Sequence, residues 1–464
     1  MAAKGCHRGS RLLLQVEPTM KICIFGSGYV GLVTALCLAE KGHSVLCVDV
    51  DLERVDLINK GALPFYERDL KELLQKHLNV RLWATTDGRE AVLASDLSMI
   101  AVGTPFNGDK IDLTYIEQVS HQIGEALREK TTYHVVVVKS TVVPGTTDDV
   151  VIPILEQVSG KKAGSDFGVG MNPEFLTEGQ AVQDFMAPDR IVVGGIDGKS
   201  VDRLVQLYEK FPAVPRVKTN NKTAEMIKYT SNALLATMIS FSNEVANLCA
   251  ALRDIDVVDV MGAIHLSQYL SCNLPNGERL MPSIVSFLAA GCGFGGSCLP
   301  KDVKALRAHG KKSGVPMSLL DAVLCINEQQ PQRVVALLKK HFPSLQDIRV
   351  AILGLAFRPD TNDMRESPAI PIINLLISEG AELQAYDPIA NSEARKIFNG
   401  TPVHICESLS DAVQKVQAVV LVTRWDEFKR LPDIVASMAP QPIVIDGRRM
   451  LDKRTVAKYE GIGL

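Results

Sequence analysis

Tryptophan occurs only twice in this chain of 464 residues, and no apolar run approaches the roughly 20 residues that a membrane span requires. Charge of one sign is not in excess: 50 basic against 53 acidic residues leave a formal charge of −3. That balance argues against a broad nucleic-acid-binding face and against a polybasic membrane anchor. The ten cysteines are scattered, with no C-x-x-C pair and no Cys/His cluster. No disulfide framework or metal site is expected from that pattern, which suits reduced thiols in a cytoplasmic compartment. Residues 1–19 hold nothing more apolar than "LLL", too short for a secretory core. They read as a disordered extension, with Met20 as the functional start and a targeting role as the lesser alternative.

What is present begins at Met20. The chain is too long for a single core, and two or three domains are expected. Residues 21–51 read as a strand, the glycine series Gly26-x-Gly28-x-x-Gly31, a helix-compatible stretch, and a second strand ending at Asp49. The first glycine suits a tight turn, the second a close approach of backbone to a pyrophosphate, and the third helix–strand packing. The helix N-terminus adds donors and partial positive charge. Asp49, eighteen residues beyond Gly31, can accept hydrogen bonds from a ribose diol and would repel a 2′-phosphate. Strand, glycines, helix, strand and acid in this order point to NAD.

Apolar runs at 97–105, 134–146, 168–176 and 190–195 break off into small, polar or proline residues. Those are the places where the carboxyl edge of a parallel sheet meets a ligand, which makes Thr104, Thr141 and Glu174 candidates by position. From 219 to 253 the pattern is helical and free of Pro and Gly, predicting one long helix that joins two halves. Lys228 and Asn232 are four apart and share a face of it, either as a solvated stripe or as donors reaching into a cleft. A second α/β pattern follows: an apolar run at 347–357, a helix near 368–380, and further runs at 381–388, 418–428 and 442–451. It lacks the glycine series, so a different ligand is expected there. Arg358, Arg365, Arg448 and Arg449 suit a diphosphate.

Between the halves lies "GCGFGGSCLPKD", residues 291–302. Glycines 293, 295 and 296 let a ligand approach the backbone. Cys298 supplies a thiol, Lys301 a cation, and Asp302 a carboxylate able to orient water. A thiolate there can attack a carbonyl whose oxyanion is held by donors.

The motifs "GSGYVG", "VGTP", "STVVPGT", "NPEFLTEG", "AEMIKYTSNA", "GFGGSCLPKD", "DMRESPA" and "WDEF" follow one another over nearly the whole chain from Met20. Together they resemble the nucleotide-sugar 6-dehydrogenases, the group of UDP-glucose and GDP-mannose dehydrogenases. The resemblance implies two Rossmann-like doubly wound α/β domains joined by a long central helix and a helical middle domain. The boundaries expected are 20–215 for NAD, 216–330 for the dimerising middle with the cysteine loop, and 331–464 for the nucleotide sugar. It also implies a four-electron oxidation at a sugar C6 through a thioester on Cys298, in a homodimer or larger homo-oligomer.

By the same resemblance Lys228 and Asn232 stabilise negative charge at C6, while Asp302, Thr141 and Glu174 position water or move protons. Tyr29, Val30, Asp49, Arg54, Thr104, Thr141, Glu178, Lys301 and Arg365, with the three glycines, fall where the family contacts NAD. Substrate contacts fall on Glu174, Phe175, Leu176, Lys228, Asn232, Phe287, Gly295, Arg358 and Arg448, and Arg279 is a candidate substrate-loop arginine. Three features depart from the family pattern. Residues 263–287 are longer than the usual linker, Arg279 stands three residues too far from Cys298, and position 358 is Arg where Lys is usual. "RWDEF…DGRRML" resembles the UDP-glucose branch, whereas 159–176 and 299–306 resemble the GDP-mannose branch. The balance favours UDP-glucose. Two other readings stay open, a two-electron dehydrogenase of the hydroxyacid or 6-phosphogluconate type that has no need of Cys298, and an NAD-binding scaffold without turnover.

Overall fold

The computed structural model describes residues 20–252 and 254–464, so the expected N-terminal extension at 1–19 lies outside the described residues. The first half is one eight-stranded sheet. Its strands are β1 (Lys21–Phe25), β2 (Ser44–Val48), β3 (Leu82–Thr85), β4 (Leu97–Ile100), β5 (Val135–Val138), β6 (Gly168–Met171), β7 (Ile191–Gly195) and β8 (Arg216–Thr219). The order is β3-β2-β1-β4-β5-β6-β7-β8. Strands such as β5, "VVVV", are buried throughout, as a sheet covered on both faces requires. The order reverses between β1 and β4, and the crevice beyond their carboxyl ends is where such a sheet takes its ligand.

One expectation about the sheet fails. β7 runs antiparallel to β6, so the end of the 190–195 run points away from the cleft and its beginning, Arg190, points toward it.

The predicted long helix is present as Asn221–Leu252. It is long and apolar enough to cross a membrane by length and composition. Here one face of it packs against the helices Leu299–Lys312 and Ser318–Lys339. A short hairpin, β9 (Cys272–Asn273) with β10 (Arg279–Leu280), occupies the long segment before the cysteine loop.

The second half is a six-stranded, all-parallel sheet. Its strands are β11 (Arg349–Leu353), β12 (Glu382–Tyr386), β13 (Val403–Ile405), β14 (Ala418–Leu421), β15 (Ile443–Asp446) and β16 (Tyr459–Gly461). The order β13-β12-β11-β14-β15-β16 repeats the reversal seen in the first sheet. Both halves are therefore Rossmann-like, and the α/β architecture with a long central helix is as expected. The echo extends to one side chain. Asp49 at the end of β2 accepts from Ser27 N at 2.7 Å. Asp387 at the end of β12 accepts from Leu355 N at 2.7 Å and from Ala356 N at 3.1 Å.

Candidate active site

Each glycine of the first loop meets a distinct constraint. Gly26 has φ +94°, and a Cβ on Gly31 would lie 1.8 Å from the Gly26 carbonyl oxygen. A Cβ on Gly28 would meet nothing within 4 Å, so this backbone is open to a ligand. Asp49 is spent locally: Ser27 Oγ donates to it at 2.7 Å and Arg54 Nη1 at 3.2 Å. These bonds pull its carboxyl below the usual range in spite of burial. Asp49 thus shapes the glycine loop. Tyr29 donates its hydroxyl to the buried Glu67, which also accepts from Gly179 N and Ala181 N at 2.7 and 2.9 Å.

Two cavities meet at the site. The larger, about 840 Å³, runs from Gly28, Tyr29, Val30 and Arg54 past Thr104, Thr141 and Glu178 to Cys298, Lys301 and Arg365. The smaller, about 560 Å³, is lined by Glu174, Phe175, Leu176, Arg190, Lys228, Asn232 and Phe287 among others. Lys139, Glu174 and Leu176 line both.

Cys298 lines the larger cavity and is exposed on that side. It caps the helix Leu299–Lys312, and Asp302 N donates back to the Cys298 carbonyl at 2.9 Å. The partial positive charge at that helix start favours a thiolate. The opposing influences are stronger in the free protein. Burial and the Glu174 carboxylate push the thiol up to about 11, against the pull of Lys228.

The helix Asn221–Leu252 resolves the alternatives for Lys228 and Asn232. Both are buried rather than solvated. Lys228 Nζ lies 2.9 Å from Glu174 Oε1. Burial raises the Glu174 carboxyl, but Lys228, Leu176 N and Lys139 outweigh it and hold it below the ordinary value. Asn232 Nδ2 donates to Asp302 Oδ2 at 2.6 Å, and Lys301 Nζ lies 2.6 Å from the other oxygen.

The glycines around Cys298 differ from expectation. A Cβ on Gly295 would lie 2.1 Å from the Glu366 carbonyl oxygen, and one on Gly296 2.8 Å from the Phe357 ring. Both seat the cysteine loop on the second half, and Gly296 also lines the larger cavity. Asn327 holds the same loop through Phe294, accepting from its N at 2.7 Å and donating to its O at 3.1 Å.

Four expected substrate contacts line neither cavity, and neither do Gly26, Gly31, Asp49 and Asp302. Arg279 donates to the Leu266 carbonyl and, at 3.0 Å, to Ser271 Oγ, within its own hairpin region. Arg448 is engaged by the carbonyls of Val422 and Gly293 at 2.6 and 2.8 Å. Arg358 is enclosed near Tyr29 and Glu178, and Gly295 is packed as described. Arg449 is likewise no free diphosphate ligand, because it pairs with Asp256 at 2.7 Å. Two residues at the site were not foreseen. Arg190 stacks on Phe175, 4.0 Å from the ring centre. Lys139 donates to Asn172 Oδ1 at 3.0 Å, and burial lowers its amine to about 8.

A glycine-loop cleft at the reversal of a parallel sheet is the setting of an NAD-dependent oxidoreductase, and in this chain the cleft ends on a thiol at a helix start. The chain belongs to the UDP-glucose/GDP-mannose dehydrogenase family. The family's NAD binding domain matches residues 20–212, its central domain 222–329, and its UDP binding domain 351–453. The chain is 40% identical to UDP-glucose 6-dehydrogenase AglM of Haloferax volcanii, covering 96% of this chain and 100% of the relative. It is 41% identical to the GDP-mannose 6-dehydrogenase of Pseudomonas putida, over 96% of this chain and 100% of that one. Among solved structures, a UDP-glucose dehydrogenase from Pyrobaculum islandicum superposes with TM-score 0.88 at 35% identity, covering 97% and 99% of the two chains. A ternary complex of GDP-mannose dehydrogenase from Pseudomonas aeruginosa gives 0.53 at 37% identity, over 96% and 100%.

Proposed function

We propose that this protein oxidises UDP-glucose at C6 to UDP-glucuronate in two NAD-dependent steps, with the sugar held as a thioester on Cys298. The observation that carries the reading is the placement of Cys298 between the cofactor cleft and the two helix-borne pairs, Lys228–Glu174 and Asn232–Asp302. A two-electron dehydrogenase has no use for a thiol there.

NAD supplies the hydride acceptor. Gly26, Gly28, Tyr29, Val30, Gly31, Asp49, Arg54, Thr104, Thr141, Glu178, Lys301 and Arg365 are the residues assigned to hold it. The C6 alcohol first loses a hydride and a proton to give the aldehyde. The Cys298 S–H adds across that carbonyl to form a thiohemiacetal. Loss of a second hydride and proton leaves the thioester, and water cleaves it to carboxylate and free thiol. The aldehyde is thus captured covalently before it can leave. Lys228 and Asn232 stand where negative charge develops on the C6 oxygen. Glu174, Asp302 and Thr141 surround the same region as candidates to position the hydrolytic water. Glu174, Phe175, Leu176 and Phe287 form the sugar side. In this reading the residues divide as 20–215, 216–330 and 331–464.

The choice of UDP-glucose rests on overall shape. At nearly equal identity, the UDP-glucose dehydrogenase structure superposes far better than the GDP-mannose dehydrogenase. A homodimer or larger homo-oligomer forms through the middle segment. Leu234, Phe241, Leu248 and Leu252 make an exposed apolar stripe on the central helix, close to a heptad spacing. A cytoplasmic location fits the nine described cysteines, all free thiols.

The test is the NADH formed per molecule of limiting UDP-glucose under excess NAD. Two per sugar is expected. One would assign a two-electron dehydrogenase, and none would pass the question to GDP-mannose. Silence on both nucleotide sugars would leave an NAD-binding scaffold.

A further inference from the structure

Glu225 takes no part in the chemistry above, yet its carboxylate is fully buried on the central helix. It stands three residues before Lys228 and seven before Asn232, on the same stripe. It accepts three hydrogen bonds, all from the loop that leaves β5. Gly145 N donates at 2.6 Å, Thr147 N at 2.8 Å and Thr147 Oγ1 at 2.7 Å. That loop begins with Lys139, Ser140 and Thr141, each of which lines the cofactor cleft. At its near end the Thr141 carbonyl accepts from Thr104 Oγ1 at 2.8 Å, tying it to the neighbouring cofactor loop. Beyond Thr147, Asn221 Nδ2 donates to Asp148 Oδ1 at 2.8 Å and Lys222 lies 3.1 Å from Asp149.

The stripe therefore holds three separate segments. Asn232 holds the cysteine helix through Asp302, Lys228 holds the 172–177 loop through Glu174, and Glu225 holds the Thr141 loop. We propose that Glu225 is a positioning residue, fixing the cofactor-side Thr141 loop to the helix that presents Lys228 and Asn232. It acts through the loop and touches neither ligand. The proposal rests on the dehydrogenase reading, because it is the distance between hydride donor and acceptor that this anchor would set. A carboxylate suits the position because all three contacts are donors. An amide would turn an N–H toward one of them and leave that donor unpaired.

The experiment compares Glu225→Gln and Thr147→Val with the parent protein, first establishing NADH production by the parent. NAD dissociation constants are measured by calorimetry and steady-state constants with each substrate varied. For Glu225→Gln, kcat should fall about 10- to 100-fold, as for a sub-ångström to ångström misplacement of reacting groups. The NAD constants should rise about tenfold, with the KM for the nucleotide sugar within about twofold of the parent. Thr147→Val should move the same constants in the same direction by a smaller factor. A folded Glu225→Gln protein with a lower melting temperature and unchanged NAD constants would overturn the proposal. If that variant does not fold, a folded Thr147→Val protein with parental NAD constants would overturn it equally. Should the parent turn over no nucleotide sugar, the dehydrogenase reading fails, while the calorimetric NAD constants still decide the role of Glu225.

Discussion

Lys228 and Asn232, one turn apart on the central helix, each hold a carboxylate from a different segment of chain: Glu174 at 2.9 Å and Asp302 at 2.6 Å. The Glu174 loop belongs to the first sheet and Asp302 to the helix that starts at Cys298. One turn of helix therefore sets the separation between the Glu174 carboxylate and the helix that starts at Cys298. Small shifts of that helix would move both together.

Removing the lysine exposes the energetics of this arrangement. Lys228→Met leaves Glu174 buried with its principal partner gone, a situation that costs about 3–5 kcal/mol for a buried pair. The Glu174 carboxyl should rise, since Lys228 is the leading influence that counters its burial. Urea unfolding at neutral pH should show the loss, and turnover should fall by about 100-fold or more if Lys228 also steadies charge at C6. Unchanged unfolding would mean that water reaches Glu174 and that the pair is worth little.

Cys298 carries a second expectation. In the free protein its thiol is held up to about 11, with desolvation first, then Glu174 and Asp302, opposing ionisation and Lys228 favouring it. Alkylation by iodoacetamide at neutral pH should therefore be slow and should quicken as pH rises toward that value. Adding NAD brings the positive nicotinamide ring into the same cleft, which favours the thiolate. Alkylation should then speed up at fixed pH, unless the ring bars the reagent, which a parallel run with NADH would reveal. Equal rates in the absence and presence of NAD, with access shown to be open, would remove the electrostatic link. Cys298→Ala should give no more than one NADH per sugar.

Much of this site is legible in the sequence because its signals are local. Gly26, Gly28 and Gly31 follow from turn and packing geometry, and the four-residue spacing of Lys228 and Asn232 puts them on one face whatever the fold. The missed strands, β3, β8, β13 and β16, lie at or near sheet edges, and β8 and β13 carry polar residues such as Lys218 and His404 where a central strand would be apolar. Contacts distant in sequence were the blind spot. Glu225 reads as an ordinary helix-surface acid until the Thr141 loop is brought 80 residues back against it. Arg190 was hidden by the antiparallel entry of β7, and Gly295 and Gly296 pack against Glu366 and Phe357, 71 and 61 residues further on. Arg448 and Arg449 looked like diphosphate ligands because an arginine pair near a strand end often is one. Here carbonyls and Asp256 already engage them.

Asp256 gives the last prediction. It caps the helix Val257–His265 by accepting from Val258 N at 2.9 Å, and it pairs with Arg449 at 2.7 Å and Lys453 at 3.0 Å. Arg449 also donates to the Ile462 carbonyl at 3.0 Å, and Val257 N to the Gly463 carbonyl at 2.9 Å. One carboxylate thus fastens the end of the chain to the start of the helix Val257–His265. Burial opposes its charge, but these donors win and bring the carboxyl from 3.8 down to about 2. A group depressed on folding adds stability above its unfolded value and loses it as pH falls through the folded one. The contribution should be present at pH 5 and fade between about pH 4 and pH 2. Asp256→Asn should cost about 2–3 kcal/mol at pH 6, because Arg449 is left buried without its anion, and that difference should shrink toward pH 2. Unfolding midpoints of the two proteins across that range measure it. A gap that stays constant with pH would assign the loss to the helix cap alone, since the Val258 bond does not require a charge.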